Sequence, residues 1–310
     1  VEPRVLVVGS INMDLIMRLK RVPRAGETVH GDEFHTAHGG KGANQAVACA
    51  RLGARTSMIG CVGRDEFGGR LRAALEEEGI DVAGVRVDAD VATGVALILV
   101  ERGGQNRIVV AAGANWKLGD VDVQAAARVL PEVDAVLMPL ELPLAVVMHV
   151  AAAARERGVL SVLDAGPVSR EAAEAGLPAA VDVISPNETE AEALTGIAVR
   201  DVDSAARAAR QLRAAGARDV VVKLGARGAY WAGEAGEDYF PAFGIDAVDT
   251  TAAGDAFSAC LTVGLASGLA MPDAIRRAVA AGALACLKLG AQPSMPERAA
   301  LDTFLRERGA

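Results

Sequence analysis

The chain has 310 residues, of which 51% are hydrophobic but only 3% aromatic, and its formal net charge is −8. That length supports one large domain or two ordinary ones, and a core packed by Ala, Val and Leu suits layered α/β architecture better than an aromatic-rich recognition module. The acidic balance without any basic stretch argues against a nucleic-acid groove, although backbone N–H groups, a cation and one or two basic side chains can still hold a phosphorylated small molecule. No segment has the uninterrupted apolar length of a membrane span.

Residues 1–10, "VEPRVLVVGS", place an apolar run where a first strand belongs rather than a secretory leader, so a cytoplasmic location is expected. The strand leads into Ser10, Asn12 and Asp14. Period-two alternation puts Asn12 and Asp14 on one face, suited to paired hydrogen bonds with sugar hydroxyls; the alternative is a turn at the sheet's functional edge. Residues 15–38 and 93–110 read as extended pieces of mixed polarity, compatible with a smaller sheet beside the main one. His30, His35 and His38 fall in the first piece, and their spacing fits a surface or interface better than a zinc site.

The stretch "GGKGANQAV" (39–47) is neither a Rossmann nor a Walker pattern, because Gly42 follows Lys41 where Ser or Thr should stand. Gly39 and Gly40 allow a tight turn, and Lys41 and Asn44 offer donors at a helix start to a polyhydroxylated or anionic ligand. The alternative is a glycine-rich turn with Asn44 as helix cap.

Apolar β-branched runs recur after that, among them "TSMIGCVG", "DAVLMPL", "VLSVLDAG", "VDVISPN" and "DVVVKLG", several separated by Ala-rich segments of helical length. This alternation predicts a mostly parallel sheet covered on both faces. The smaller sheet interrupts the repeats, which favours an open sheet over a barrel, with ligands at the carboxyl ends of its strands. His149, inside "VVMHVAAAA", reads as structural, and Cys49, Cys61, Cys260 and Cys286 read as buried free thiols.

In "SPNETEAE" (185–192), Asn187 and Glu190 supply hard oxygen atoms able to hold Mg²⁺ through water and phosphates; the same spacing makes a capping box. In "DTTAAGDAF" (249–257), small residues let the backbone aim the N–H groups of Ala252, Ala253 and Gly254 into one space, as a phosphoryl group at a helix N-terminus requires. Asp255 then either caps the helix or orients an alcohol and accepts its proton. The helix dipole is expected to hold its pKa low, which a loose phosphoryl-transfer transition state tolerates.

Together, Ser10, Asn12, Asp14, "GGKGAN", "NETE" and "DTTAAGD" stand in an order that resembles the ribokinases of the PfkB carbohydrate kinase family, from about residue 5 to residue 305 and including "LTGI" and "GAQPSMP". The resemblance implies a single three-layer αβα kinase domain over 1–310, with a central mostly parallel sheet and a small β lid of approximately 15–38 and 93–110 through which homodimers form. It implies Asp255 as catalytic base, Ala252, Ala253 and Gly254 as anion hole, and Asn12, Asp14, Gly40, Lys41, Asn44 and Glu141 as the sugar-binding set. Asn187 and Glu190 match the region that organises magnesium and phosphates, and Lys223 with Gly225 the nucleotide-contacting "KLG" turn. Asp249, Thr251, Ala285, Gly290 and Ser294 match a loop pair that holds K⁺, with Thr251, Ala285 and Gly290 giving backbone carbonyls. Lys223 departs from the threonine common in some ribokinases and either adds a phosphate contact or extends into solvent. The adenine pocket is expected between 240–250 and 274–285.

The implied activity is transfer of the γ-phosphoryl group of ATP to the 5-hydroxyl of D-ribose. Its rivals are a family kinase for another sugar or a nucleoside, an NAD-dependent oxidoreductase, and a non-catalytic sugar-binding protein. Scarce aromatics disfavour a nucleobase platform, "GSINMD" lacks a dinucleotide fingerprint, and the intact surroundings of Asp255 speak against lost chemistry.

Overall fold

The computed structural model describes residues 2–103, 105–168 and 170–309; residue 104, inside the 93–110 piece, lies outside them. In chain order the strands are β1 (Arg4–Val8), β2 (Asn12–Leu19), β3 (Gly31–Gly39), β4 (Arg55–Gly63), β5 (Asp81–Asp88), β6 (Gly94–Glu101), β7 (Asn106–Ala111), β8 (Ala135–Pro139), β9 (Leu160–Asp164), β10 (Val183–Ser185), β11 (Asp219–Lys223), β12 (Ala229–Gly233) and β13 (Gly236–Phe240). Among the described residues they build a nine-stranded open sheet of order β13-β12-β11-β10-β9-β8-β1-β4-β5. It is parallel from β11 to β5, and β12 and β13 extend one edge antiparallel. The strand pattern of the sequence located every parallel member except β5, whose "DVAGVRVD" is short of apolar residues.

Both faces of this sheet are core. Along β1, Val5 and Val7 join one buried cluster and Leu6 and Val8 the other, all without exposure. Burying each such side chain contributes roughly 1.5–3 kcal/mol, which is why a fully apolar strand belongs at the centre of a three-layer αβα arrangement. A charge at Leu6 would break that centre. Small helical residues keep the layers close. The helix Lys41–Arg51 meets the end of β1 at Gly9 and Gly42, where a Cβ on Gly42 would stand 2.5 Å from the Gly9 backbone.

β2, β3, β6 and β7 form a second sheet of order β3-β2-β6-β7. Only Gly9, Ser10 and Ile11 separate β1 from β2, so the second sheet begins directly at the carboxyl end of the first. The β2–β6 pair is parallel and its two flanking pairs antiparallel. Its outer positions expose Phe34, Ile108, Val109 and Val110. His35 and His38 lie on β3, and burial lowers the pKa of His38.

Two expectations change. His149 is exposed, because the helical period turns it away from buried Val146, Val147 and Val150. All four cysteines are free, but Cys286 is only partly buried because it lines a cavity described below. Among the described residues, no helix is long and apolar enough to cross a membrane.

Candidate active site

Adjacent parallel strands deliver polar side chains to one end of the large sheet. Ser10 follows β1, Glu141 follows β8, Asp164 ends β9, Asn187 follows β10 and Lys223 ends β11. A parallel sheet carries all its carboxyl ends to the same edge, so residues scattered over more than two hundred positions converge.

Gly40, with φ 89, is the N-cap of the helix Lys41–Arg51. Asn44 therefore does not cap it; from the buried face of the first turn its Nδ2 donates to Asp255 Oδ2 at 3.0 Å. Its Oδ1 is buried without a hydrogen-bond partner. Lys41 Nζ bridges two carboxylates, Asp164 Oδ2 at 3.2 Å and Asp255 Oδ1 at 3.4 Å. Ser10 donates to Glu141, whose Oε2 also accepts the Lys41 backbone N–H at 3.2 Å.

β2 contributes Asn12 and Asp14 from within a strand, which removes the turn alternative. Asn12 is buried, its Oδ1 accepting Asn115 Nδ2 at 2.8 Å. Asn115 also clasps the Ile11 backbone, receiving its N–H at 2.9 Å and donating to its carbonyl at 3.3 Å. The Asp14 carboxylate lies against Gly39, where any Cβ would fall 2.4 Å from its oxygens. Burial, with Glu141 and Asp255 nearby, raises the Asp14 pKa to about 7.

Asp255 stands in the first turn of the helix Ala253–Ala266, whose N-cap is Ala252 in the left-handed region at φ 59. Among the described residues Ala252 is the one non-glycine residue with positive φ. Such a conformation is uncommon outside Gly, Asn and Asp, and here it opens the helix start towards the site. The Ala253 N–H makes a turn bond to the Thr250 carbonyl at 3.3 Å. Asp255 makes no capping bond; its carboxylate faces Lys41, Asn44 and Gln45.

The expectation that the helix dipole keeps the Asp255 pKa low is corrected. Burial raises it, Asp164 adds to that, and Lys41 opposes without prevailing. A dipole is worth about 0.3–1 kcal/mol near a surface, less than the penalty for burying a carboxylate.

Three functional neighbours escaped the sequence reading. Asp164 is fully buried and accepts Lys223 Nζ at 2.8 Å, Lys41 Nζ at 3.2 Å and Gln45 Nε2 at 2.7 Å. Burial acts to raise its pKa, but Lys223 and Lys41 outweigh burial and hold it below the ordinary range. Gln45 Nε2 also reaches Asp255 Oδ1 at 3.2 Å. Asn115 is the third. "VLSVLDAG" and "GGKGANQAV" contain the first two, yet a lone carboxylate ending a strand and an amide inside a helix carry no local signal. Lys223 does not extend into solvent: it is buried, with Ser258 Oγ 3.4 Å from its Nζ in addition to Asp164.

Asn187 and Glu190 form a full capping box. Asn187 Oδ1 accepts the Glu190 N–H at 2.9 Å, and Glu190 Oε2 accepts the Asn187 N–H at 2.8 Å. Burial raises the Glu190 pKa against the pull of Lys223. Each of these side-chain oxygens keeps a lone pair, which fits contact with a hydrated cation better than direct coordination.

Farther along the same edge, Asp249 ties two loops together. Its Oδ1 accepts the Thr251 N–H at 2.9 Å and hydroxyl at 2.6 Å, and its Oδ2 accepts the Gly290 N–H at 2.9 Å. Burial acts to raise its pKa, but these donors hold it down. The Ala285 carbonyl ends the helix Met271–Ala285, while the Ser294 hydroxyl bonds the Ala291 carbonyl in its own turn at 2.8 Å. Beside these loops lies an apolar cavity of about 420 Å³. Ala242, Phe243 and Ile245 form one wall and Val279, Gly282 and Ala283 the other; Lys223, Gly225 and Gly254 stand where it meets the polar site.

Residues 2–298 match the model of the pfkB family carbohydrate kinases. The chain is 39% identical over 299 residues to the ribokinase of Haemophilus influenzae, covering 96% of this chain and 97% of that protein. It is 34% identical over 301 residues to the deoxyribokinase of Salmonella typhimurium, covering 97% and 98%. The structure of Arabidopsis thaliana ribokinase complexed with ribose and ATP superposes with a TM-score of 0.89 at 32% identity, over 99% of each chain.

Proposed function

This chain belongs to the pfkB family of carbohydrate kinases, and on that premise we propose that it transfers the γ-phosphoryl group of ATP to the 5-hydroxyl of D-ribose, giving D-ribose 5-phosphate and ADP. The observation that carries the reading is the position of Asp255. It sits at the opened start of a helix, between a polar set that includes Asn44 and Asp14 and an apolar cavity of about 420 Å³, roomy enough for adenine.

In this reading ribose lies against β2, with Asn12, Asp14, Gly40, Lys41, Asn44 and Glu141 around its hydroxyls. The unpartnered Oδ1 of Asn44 accepts one of them. Asp255 orients the 5-hydroxyl, whose oxygen forms the new bond to the γ-phosphorus as the bond to the β–γ bridging oxygen breaks; the proton passes to Asp255 and ADP leaves. First-turn N–H groups have no intrahelical partner, so those at Ala252–Gly254 face the transferring oxygens. The Ala253 N–H gives up its 3.3 Å bond to Thr250 to do so. A raised pKa suits Asp255 to this task better than a dipole-lowered one.

Adenine fills the apolar cavity, and Lys223 and Gly225 lie beside the phosphates. Asn187 and Glu190 would hold Mg²⁺, which would supply charge neutralisation on the phosphates. The Asp249–Thr251 loop and the Ala285, Gly290 and Ser294 segment would hold K⁺, which would order the backbone that meets the phosphate. The lone pair left on Asp249 Oδ2 and the tie that oxygen already makes to Gly290 support that site. The second sheet acts as the lid over ribose. Its exposed Phe34, Ile108, Val109 and Val110 are the pairing surface of a homodimer, which a monomeric mass in solution would contradict. A cytoplasmic location is consistent with this metabolism.

The test is ATP-dependent phosphorylation of a panel of ribose, 2-deoxyribose, fructose and nucleosides, with Mg²⁺ and either K⁺ or Na⁺ and direct product detection. Ribose 5-phosphate formed preferentially and faster in K⁺ is the expected result. Preference for deoxyribose would move the acceptor, and equal rates in both salts would remove the K⁺ site.

A further inference from the structure

Two carboxylates meet at the centre of this site, and only Asp255 has a role in the transfer. Asp164 is the more deeply buried of the pair and bonds two lysines and an amide. We propose that Asp164 is a positioning residue for phosphoryl transfer, holding Lys41, Lys223 and Gln45 in the arrangement that aims Asp255 at the acceptor and stations Lys223 beside the phosphoryl path. The proposal rests on the kinase reading above.

The geometry is that of two acceptors sharing donors. Lys41 Nζ and Gln45 Nε2 each reach both Asp164 Oδ2 and Asp255 Oδ1, at 3.2 and 3.4 Å for the lysine and at 2.7 and 3.2 Å for the amide. In both cases the shorter contact is to Asp164. The donors are therefore anchored on Asp164 and only lean on Asp255, whose carboxylate stays available to an incoming hydroxyl. On its other oxygen Asp164 fixes Lys223, whose Nζ lies 3.9 Å from where a Cβ on Gly254 would project. A lysine free to swing would pair with whichever anion arrived; one bonded to a buried carboxylate is in place before ATP binds, as preorganised catalysis requires.

Electrostatics works in the same direction. The charged and polar groups facing Asp255 are Lys41, Asn44 and Gln45 from the helix Lys41–Arg51, Asp164 from β9 and Lys223 from β11, with Asp14 on β2 and Glu141 after β8 farther round the site. Asp164 is the negative neighbour that raises the proton affinity of Asp255 after burial has done so. Removing its charge lowers that affinity directly, and frees Lys41 to pair with Asp255 alone, which lowers it again.

Opposite shifts from two substitutions test this. Wild type, Asp164→Asn and Gln45→Leu are compared in kcat at saturating ribose and ATP as a function of pH, so that changes in ribose binding are not read. Asp164→Asn should lower kcat about tenfold or more and move the acid limb to lower pH. Gln45→Leu removes a donor to Asp255 without leaving a lysine unpaired, and should move the acid limb up. A merely structural Asp164 would reduce active enzyme equally at every pH. Limbs that stay with the wild type in both variants, or shift in the same direction, overturn the proposal. Should Asp164→Asn fail to fold, Asp164→Ser, which removes the same charge with a smaller side chain, takes its place under the same expected and overturning results. A wild type that turns over no ribose would instead sink the kinase reading, so the two failures are distinct.

Discussion

Under the proposed function, the two halves of the site are built on different physical plans. The acceptor side is a network of directional bonds: Asn12 held by Asn115, Glu141 by Ser10, Asp255 by Asn44 and Gln45. The nucleotide side is an apolar cavity with walls of Ala, Gly, Val and Phe, fronted by backbone at Ala252–Gly254. A sugar offers hydroxyls of fixed direction, so its site needs specific polar side chains; an adenine face needs shape, and a triphosphate can be met by N–H groups that every residue carries.

That difference governs what the sequence could say. Polar residues in unusual spacing, "GSINMD", "GGKGAN" and the Asp of "TAAGD", announce the acceptor side and the base. On the nucleotide side, "PAFGI" and "AVAAGALAC" look like any apolar surface and helix, so only their approximate place was foreseeable. The open αβα sheet was legible because parallel strands buried on both faces must be apolar throughout. Edge strand β13 was not, since Gly236, Glu237, Asp238 and Tyr239 are exposed. Asp164 escaped for another reason: its importance lies in partners more than one hundred residues away on one side and nearly sixty on the other. The direction of the Asp255 shift is not legible in the sequence because burial is set by tertiary packing, whereas the dipole is visible in a single helix.

The comparison breaks most visibly at the residue both halves share. Asp255→Asn keeps size and hydrogen bonding but cannot take the proton, so kcat should fall by roughly 10²–10⁴. Binding of ATP, which rests on the apolar cavity and backbone, should remain measurable by calorimetry. Near-wild-type turnover would remove Asp255 from the chemistry.

A smaller effect separates the halves. Ala283 lines the cavity wall and lies away from the polar network. Ala283→Phe should fill part of the space, raising KM for ATP by about tenfold, equivalent to about 1.4 kcal/mol. KM for ribose should stay near wild type. A rise in ribose KM alone would place the nucleotide elsewhere.

The smallest effect is also the most local, because it concerns one proton on the acceptor side. Asp14 has its pKa raised to about 7, and only its ionised form accepts hydrogen bonds on both oxygens. KM for ribose should therefore fall several-fold as pH rises through about 7. Folding stability responds with the opposite sign. The folded chain holds this proton up to about pH 7, whereas an unfolded Asp releases it near its ordinary value of 3.8. The contribution of Asp14 to stability is thus fully present below pH 3.8 and is lost as pH rises through about 7. Asp14→Asn removes the titration, so its melting temperature relative to wild type should be higher at pH 8 than at pH 5, while its ribose KM, though raised, should lose the pH dependence. The same carboxylate then improves ribose binding over the pH range in which it weakens the fold, as expected of a charge kept in a buried site for its ligand. If wild type and Asp14→Asn show parallel pH profiles in both measurements, Asp14 is not the group that titrates and the ribose contact must be assigned elsewhere.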